Sequence, residues 1–244
     1  LADDLGFGDI GYFGNPIVET PNIDGLAHGG TVLTHNYSAG PVCMPSRVGL
    51  LSGRYPYETG ANQAVQDTSP SLQIPYMPAP LRQAGYATCA VGKWHAGHFP
   101  GGMKRFGFDE YAICSPGGMC DYYDYTMHRH TDKQPSGGTY STDAITDEGI
   151  DFIKRHPDEP FFLYLAYTAP HWPLQAPEET IIKYRQKGNL TEGAARVYAM
   201  IEHMDRGIGR VIDTLRKSGR YDDTLVVFSS DNGPRFIGFW KGID

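Results

Sequence analysis

The sequence predicts an α/β fold with a mostly parallel, mixed central sheet flanked by helices. Three observations carry this. Ala87-Thr88-Cys89-Ala90-Val91, the run from Phe161 to Tyr167 and Leu225-Val226-Val227-Phe228 are apolar stretches of strand length, the pattern of strands covered on both faces. Between them lie segments of helical periodicity, the strongest from Thr191 to Lys217. Each apolar run stops at a cluster of polar residues, as strands do when they feed a crevice at the carboxyl edge of a sheet.

Taken in order, Leu1-Ala2-Asp3-Asp4 reads as the end of a strand that turns at Leu5-Gly6-Phe7-Gly8. Two adjacent carboxylates repel and favour a cation beside them, although adjacent Asp at a turn is more often a solvated cap. Thr20-Pro21-Asn22-Ile23-Asp24 is a helix start running to Gly29-Gly30, with Ile23 and Leu26 facing inward. Val32 to Tyr37 reads as a short strand delivering the chain to residues 41–54. There Cys43 stands just before Pro45, and Pro at a first helical position predicts a helix continuing from Val48 to Ser52. A side chain at such a start meets unpaired N–H groups and the positive end of the helix dipole. Arg47, four residues on, leans back over the same spot. A sulfur placed there is an activated thiolate or the precursor of something more reactive. The plain alternative is a buried free cysteine packing as a small hydrophobe.

Tyr55 to Pro80, rich in Pro, Gln, Ser and Tyr, predicts an irregular, substrate-facing excursion. A short helix around Leu81 to Ala84 leads to the strand ending at Val91-Gly92, and Lys93 and His95 follow at once. Residues 97–139 show no sustained period and are predicted to be loop with at most short strands. His98, His128 and His130 match no metal-ligand spacing and read as loop residues. Thr142 opens a helix through Ile145, Ile150 and Ile153 that ends near His156-Pro157. The strand from Phe161 ends at Thr168-Ala169-Pro170-His171. In the long helix, Val197, Ile201, Met204, Ile208, Val211 and Leu215 recur at steps of four and three, a core-facing stripe. Asp222-Asp223 then turn the chain into the last apolar run, which ends at Ser229-Ser230-Asp231-Asn232-Gly233.

At 244 residues the chain is long enough for one α/β domain. Its net charge of −7 argues against a nucleic-acid partner, and no apolar run approaches a membrane span. Four cysteines are too few for a disulfide scaffold; Cys114 and Cys120 are left as either a pair or two free thiols. Asn36-Tyr37-Ser38 and Asn189-Leu190-Thr191 match glycosylation sequons, a weak signal on its own. The opening on the end of a strand and the stop at Phe239 to Asp244 read as truncation at both ends.

Asp3-Asp4, Lys93 with His95, His171, and Asp231-Asn232 all follow apolar strands, so the carboxyl-edge rule converges them on one crevice with the Cys43 helix. Any one of them alone is an ordinary loop residue. Together they supply carboxylates, an amide, two imidazoles and cationic side chains. Three carboxylates and an amide oxygen are hard donors that suit Ca²⁺ or Mg²⁺ rather than zinc. Four or more oxygens put Ca²⁺ ahead, because Mg²⁺ keeps its waters.

Cys43-Met44-Pro45-Ser46-Arg47, followed by Leu50-Leu51-Ser52-Gly53-Arg54-Tyr55-Pro56, resembles the signature of the formylglycine-dependent sulfatases, within the alkaline phosphatase superfamily. The family usually has Thr at the place of Ser52. The resemblance recurs at Ala2 to Gly6, Thr20 to Asp24, Gly92-Lys93-Trp94-His95, Ala169 to Pro173 and Ser230 to Gly233, in the expected order over nearly the whole chain. It implies a sulfatase catalytic domain over residues 1–244 whose C-terminal segment is absent.

It implies further that Cys43 is oxidised to formylglycine, whose hydrate attacks the sulfur of a sulfate ester and then expels sulfate. Asp3, Asp4, Asp231 and Asn232 would bind the cation with the converted Cys43 beside it. Arg47 and Lys93 would hold the hydrate and the sulfate oxygens. His95 would take a proton from the second hydroxyl, His171 would protonate the leaving alcohol, and Lys241 would contact the sulfate. The implied partners are a small-molecule or carbohydrate sulfate ester and a formylglycine-generating or equivalent maturation enzyme. The implied compartment is periplasmic, secreted or lysosomal; the residues themselves assign none. Two rivals stand beside this reading: a phosphodiester or phosphonate monoester hydrolase using the same nucleophile and cation, and a non-catalytic, cation-stabilised binding module in which Cys43 stays a thiol.

Overall fold

A computed structural model of the chain describes residues 1–61, 74–118 and 120–235. Five strands, β1 (Ala87–Lys93), β2 (Glu110–Ser115), β3 (Thr126–Arg129), β4 (Lys133–Pro135) and β5 (Phe161–Ala166), form one sheet in the order β4-β3-β2-β1-β5. β1 pairs parallel with β2 and with β5, whereas β2–β3 and β3–β4 are antiparallel. The expected mixed sheet is therefore a parallel centre with an antiparallel edge.

The helices are α1 (Pro21–Gly29), α2 (Cys43–Ser52), α3 (Pro56–Thr59), α4 (Pro78–Gln83), α5 (Gly101–Phe106), α6 (Ser141–Arg155), α7 (Glu178–Gln186) and α8 (Glu192–Lys217). Side chains alternate across a strand, so each apolar run serves two layers. Cys89, Val91, Ala112 and Cys114 pack with Ile145 and Phe152 of α6 and with Ile201, Met204 and Ile208 of α8. Ala90, Ile113, Tyr164 and Ala166 pack on the opposite face with Met44, Val48 and Leu51 of α2. That second layer holds the Cys43 helix against the sheet. Thr191 caps α8, its Oγ1 accepting from the N–H of Ala194 at 3.2 Å. No helix among the described residues is long and apolar enough to cross a membrane.

Three expectations are corrected. Residues 97–139 contain α5 and the six-residue β2, which is paired along its length with β1. The apolar centre of β2 is only Ala112-Ile113-Cys114, too short to stand out as a run. His128 sits on this extension of the sheet, in β3, rather than in a loop. Val32 to Tyr37 forms no strand: the chain turns at Thr34-His35, and Leu33 and Tyr37 are left 70 % and 83 % exposed. Leu225 to Phe228 is extended but not a buried strand. Leu225 is 89 % and Val227 72 % exposed, and only Val226 and Phe228 reach the core. Its pairing begins at Ser229 and amounts to a single parallel bridge, Ala2 with Ser230. Residues 62–73 of the predicted excursion lie outside the described residues.

Candidate active site

Backbone pairing alone brings the four acidic and amide residues together. On one flank of residues 1–3, Tyr167 N–H donates to Leu1 O at 3.0 Å and Asp3 N–H to Ala169 O at 3.1 Å. On the other flank, Ala2 N–H donates to Ser229 O at 2.9 Å and Asp231 N–H to Ala2 O at 3.0 Å. Asp3-Asp4 therefore lies between the end of β5 and Asp231-Asn232. Asp4 N–H donates to Asp231 Oδ1 at 3.2 Å, and Asn232 Nδ2 donates to Asp4 Oδ1 at 2.6 Å.

β1 delivers Lys93 to the same place. Gly92 has φ +99°, and a Cβ there would lie 2.0 Å from Ala166 O, so only glycine permits this approach to β5. The β1–β2 register shifts between Gly92 and Lys93. Lys93 Nζ then reaches Asp3 Oδ2 at 2.5 Å and Cys43 Sγ at 3.4 Å, fully buried. Asp4 (φ +61°) and His95 (φ +39°) are the two described non-glycine residues with positive φ, and both stand in this crevice. Such backbone strain clusters where surrounding structure forces a side chain into a working position.

Cys43 opens α2, two residues earlier than the Pro45 start predicted, and its Sγ lies 4.0 Å from Asp4 Oδ1. One turn on, Arg47 leans back as expected. Its Nε donates to Asp231 Oδ2 at 2.8 Å, its NH1 to Lys93 O at 2.9 Å, and its NH2 stands 3.5 Å from Asp3 Oδ1. Arg47 is completely buried; that burial opposes its charge, but Asp231 and Asp3 more than offset it. Ser46 Oγ donates to the carbonyl of Asp231, tying the helix start to the segment that carries Asp231 and Asn232.

Burial, and then the Asp3 carboxylate, push the Cys43 thiol up to about 12 against the opposing charge of Lys93. His95 moves the other way, to about 3, because burial and then the charges of Lys93 and Arg47 disfavour a second proton. Its imidazole is neutral, and its Nδ1 is buried with no hydrogen-bond partner. His171 Nδ1 lies 2.6 Å from Trp172 O, leaving Nε2, 3.5 Å from Asp4 Oδ2, to face the crevice.

The donor set fits a cation. Ligand atoms of Asp3, Asp4, Cys43 and His171 lie within 4.8 Å of one another. Asp3 Oδ1 and Asn232 Oδ1 are buried acceptors with no hydrogen-bond partner, an arrangement that costs free energy unless a cation or donor completes it. Asp231 adjoins them, its Oδ2 accepting from Arg47 Nε and its Oδ1 from the N–H groups of Asp4 and Asn232; a carboxylate has about four lone-pair sites, so acceptor capacity remains for a cation. Carboxylate and amide oxygens in this number suit a hard divalent ion.

A profile of the sulfatase family matches residues 1–240. The chain belongs to the sulfatase family. It is 35% identical to arylsulfatase J of Mus musculus over 96% of its own length and 42% of that relative's. It is also 35% identical to N-acetylgalactosamine-6-sulfatase of Homo sapiens, over 97% of this chain and 49% of the relative. Among solved structures it superposes on Ps i-CgsB in complex with k-i-k-neocarrahexaose with TM-score 0.88 at 34% identity, covering 96% of this chain and 58% of that one. This sulfatase chain thus spans about half the length of the curated relatives it matches.

Two clefts border this crevice. One, of about 270 Å³, lies between Met44, His95, His98, Phe99 and Pro116; the other, of about 280 Å³, between Asp4, Asp9, Trp172, Tyr198 and Arg235. His98, read from sequence as a loop residue, thus lines the crevice beside His95. Its only sequence signal was its place three residues after His95. Cys114 and Cys120 are free thiols in the structure. Lys241 lies outside the described residues.

The crevice carries a pH signature of its own. The folded-state pKa of His95 is lowered below its ordinary 6.5 to about 3. The stability this contributes is complete above pH 6.5 and lost as pH falls towards 3, since the unfolded chain takes up a proton the folded one refuses. Unfolding free energy in calcium-free buffer is expected to fall by roughly 2 kcal/mol between pH 6.5 and 5 from this group alone. His95→Gln should flatten the slope by that amount in urea titrations; identical slopes would refute the burial of a neutral imidazole.

Proposed function

We propose that this chain is the part of a sulfatase that hydrolyses a carbohydrate or other small-molecule sulfate ester to the alcohol and inorganic sulfate. The observation that carries the reading is the position of Cys43. It opens a buried helix, 3.4 Å from Lys93 Nζ and 4.0 Å from Asp4 Oδ1, where an attacking group and a sulfate would meet cations and a metal site at once.

Formylglycine formed from Cys43 would supply, as its hydrate, one hydroxyl to attack sulfur and a second whose deprotonation would release sulfate. Asp3, Asp4, Asp231 and Asn232 would hold the cation, Ca²⁺ ahead of Mg²⁺, which when bound would supply Lewis-acid stabilisation of developing negative charge. Arg47 and Lys93 are already locked by buried carboxylates, so their charges need little reorganisation when a sulfate arrives. His95, neutral and with a free Nδ1, accepts the proton of the second hydroxyl. His171 donates a proton to the leaving oxygen from Nε2, its Nδ1–H being held by the carbonyl of Trp172. Lys241 is assigned to the sulfate on family resemblance. The clefts on either side give a sugar room, and the relatives named for N-acetylgalactosamine-6-sulfate and solved with a neocarrahexaose support a carbohydrate ester. Conversion of Cys43 requires a formylglycine-generating or equivalent enzyme.

The test compares kcat/KM on an aryl sulfate and the matched aryl phosphodiester, in full-length protein whose Cys43 peptide shows the mass of formylglycine. The sulfate should lead by at least about 10²-fold, a difference of roughly 3 kcal/mol in transition-state binding. A lead for the phosphodiester would move the protein to the phosphoryl-transfer branch of the superfamily. A Cys43 that stays a thiol in a host competent for the conversion, with no turnover of any sulfate, would return the binding-module reading.

A further inference from the structure

We propose that Tyr122 is a positioning residue for sulfuryl transfer, its hydroxyl fixing the backbone on both sides of His171 so that Nε2 stays aimed at the leaving oxygen. This rests on the reading of His171 as the proton donor. Tyr122 is fully buried, and its Oη lies 2.7 Å from Thr168 O and 2.9 Å from His171 O, so one hydroxyl hydrogen is shared between two carbonyls of the same turn. The turn is closed by His171 N–H donating to Thr168 O at 2.9 Å. Burial holds the phenol well above its ordinary value, so it remains a donor wherever the enzyme works.

Tyr122 is itself anchored. Its N–H donates to Gln175 Oε1 at 2.8 Å, its carbonyl accepts from Ser141 N–H at 2.8 Å, and its ring stacks on Tyr140 at 5.5 Å. Gln175 in turn donates from Nε2 to Asp121 Oδ2 at 2.8 Å, and its carbonyl accepts from Tyr140 Oη at 2.8 Å. Residues 121–122 and 140–141 thus grip the segment from Thr168 to Gln175 from outside the crevice. The hydrogen bonds made by Tyr122, Gln175 and Tyr140 go to neither Cys43 nor Asp3, Asp4 or Asp231. What they control is where the imidazole stands, and a misplacement of about 1 Å in a proton donor costs up to about 10²-fold.

The test reads dependence on the leaving group, which a merely structural loss does not change. Full-length enzyme with verified Cys43 conversion is assayed on aryl sulfates from acidic phenols, such as 4-nitrophenol, to weakly acidic ones. A good leaving group needs no proton, so Tyr122→Phe should lose less than about 3-fold on 4-nitrophenyl sulfate and about 10–100-fold on the poorest leaving group. His171→Ala should show a steeper slope still. The double variant should be no slower than His171→Ala, because a residue acting through another is silent once that other is gone. Equal loss on all esters, or a double variant slower by the product of the two single effects, overturns the proposal. A flat slope for His171→Ala sinks the proton-donor reading, and the proposal with it. Should Tyr122→Phe fail to fold, Gln175→Ala, which frees the Tyr122 N–H, must steepen the slope by a smaller amount; an unchanged slope there also overturns the proposal.

Discussion

Asp231→Asn is expected to abolish the calcium-dependent rise in thermal stability and to cut turnover by at least about 10³-fold, equivalent to roughly 4 kcal/mol. Asp231 Oδ2 accepts from Arg47 Nε at 2.8 Å, and Oδ1 accepts from the N–H groups of Asp4 at 3.2 Å and of Asn232 at 2.8 Å. Burial raises its pKa, with Arg47 opposing and Asp3 adding to the rise, so a divalent ion bound beside it would favour the charged carboxylate. An amide in its place carries no charge for the ion and sets an NH₂ against neighbouring donors. It also leaves buried Arg47 with Asp3 at 3.5 Å as its remaining acidic partner, and breaking a buried pair costs about 3–5 kcal/mol. Loss of activity therefore cannot carry the assignment alone. The calcium response can: at 100-fold over its Kd an ion adds about 2.7 kcal/mol to the folded state, a rise on the order of 5 °C. The variant, melted with and without calcium, should show none of that rise. A wild-type response in Asp231→Asn would place the cation elsewhere.

How much of this was legible beforehand follows the range of the forces involved. α8 could be read because its apolar stripe is local and long, and Ile201, Met204, Ile208 and Leu215 are all buried. Val211 was the miss in that stripe; its neighbour Ile212 is the buried residue. The convergence of Asp3, Lys93, His171 and Asp231 was legible because each follows an apolar segment and a parallel sheet gathers such ends on one side.

Pairing partners were not. Leu225 to Phe228 looked like a strand and β2 did not, since β-structure depends on a neighbouring edge that local composition does not report. The Tyr122 clasp joins groups 46 and 49 residues apart within two irregular segments, and nothing periodic marks it. Nor does composition reveal that Asp4 and His95 adopt positive φ, because that strain is imposed by the surrounding packing.

Cys43→Ser is expected to release at most one equivalent of alcohol per enzyme and then stop. Cys43 stands at the first position of α2, with Lys93 Nζ at 3.4 Å and Asp4 Oδ1 at 4.0 Å, so a serine hydroxyl there would meet the same charges and the proposed cation. It can attack sulfur, forming a Ser–O–S bond as the ester's S–O bond breaks and the alcohol departs with a proton. The serine sulfate so formed has one oxygen on its Cβ and no second hydroxyl. His95 then has no proton to remove that would expel sulfate, and the variant stalls as a covalent sulfated protein heavier by one SO₃. Cys43→Ala, lacking any nucleophile, should show no burst at all while keeping the calcium-dependent melt. The experiment needs a host in which wild-type conversion is verified by mass and the introduced serine stays unoxidised. Sustained turnover by unmodified Cys43→Ser, at a rate near wild type, would sink the formylglycine mechanism for this protein, because a single hydroxyl would then suffice for both attack and release.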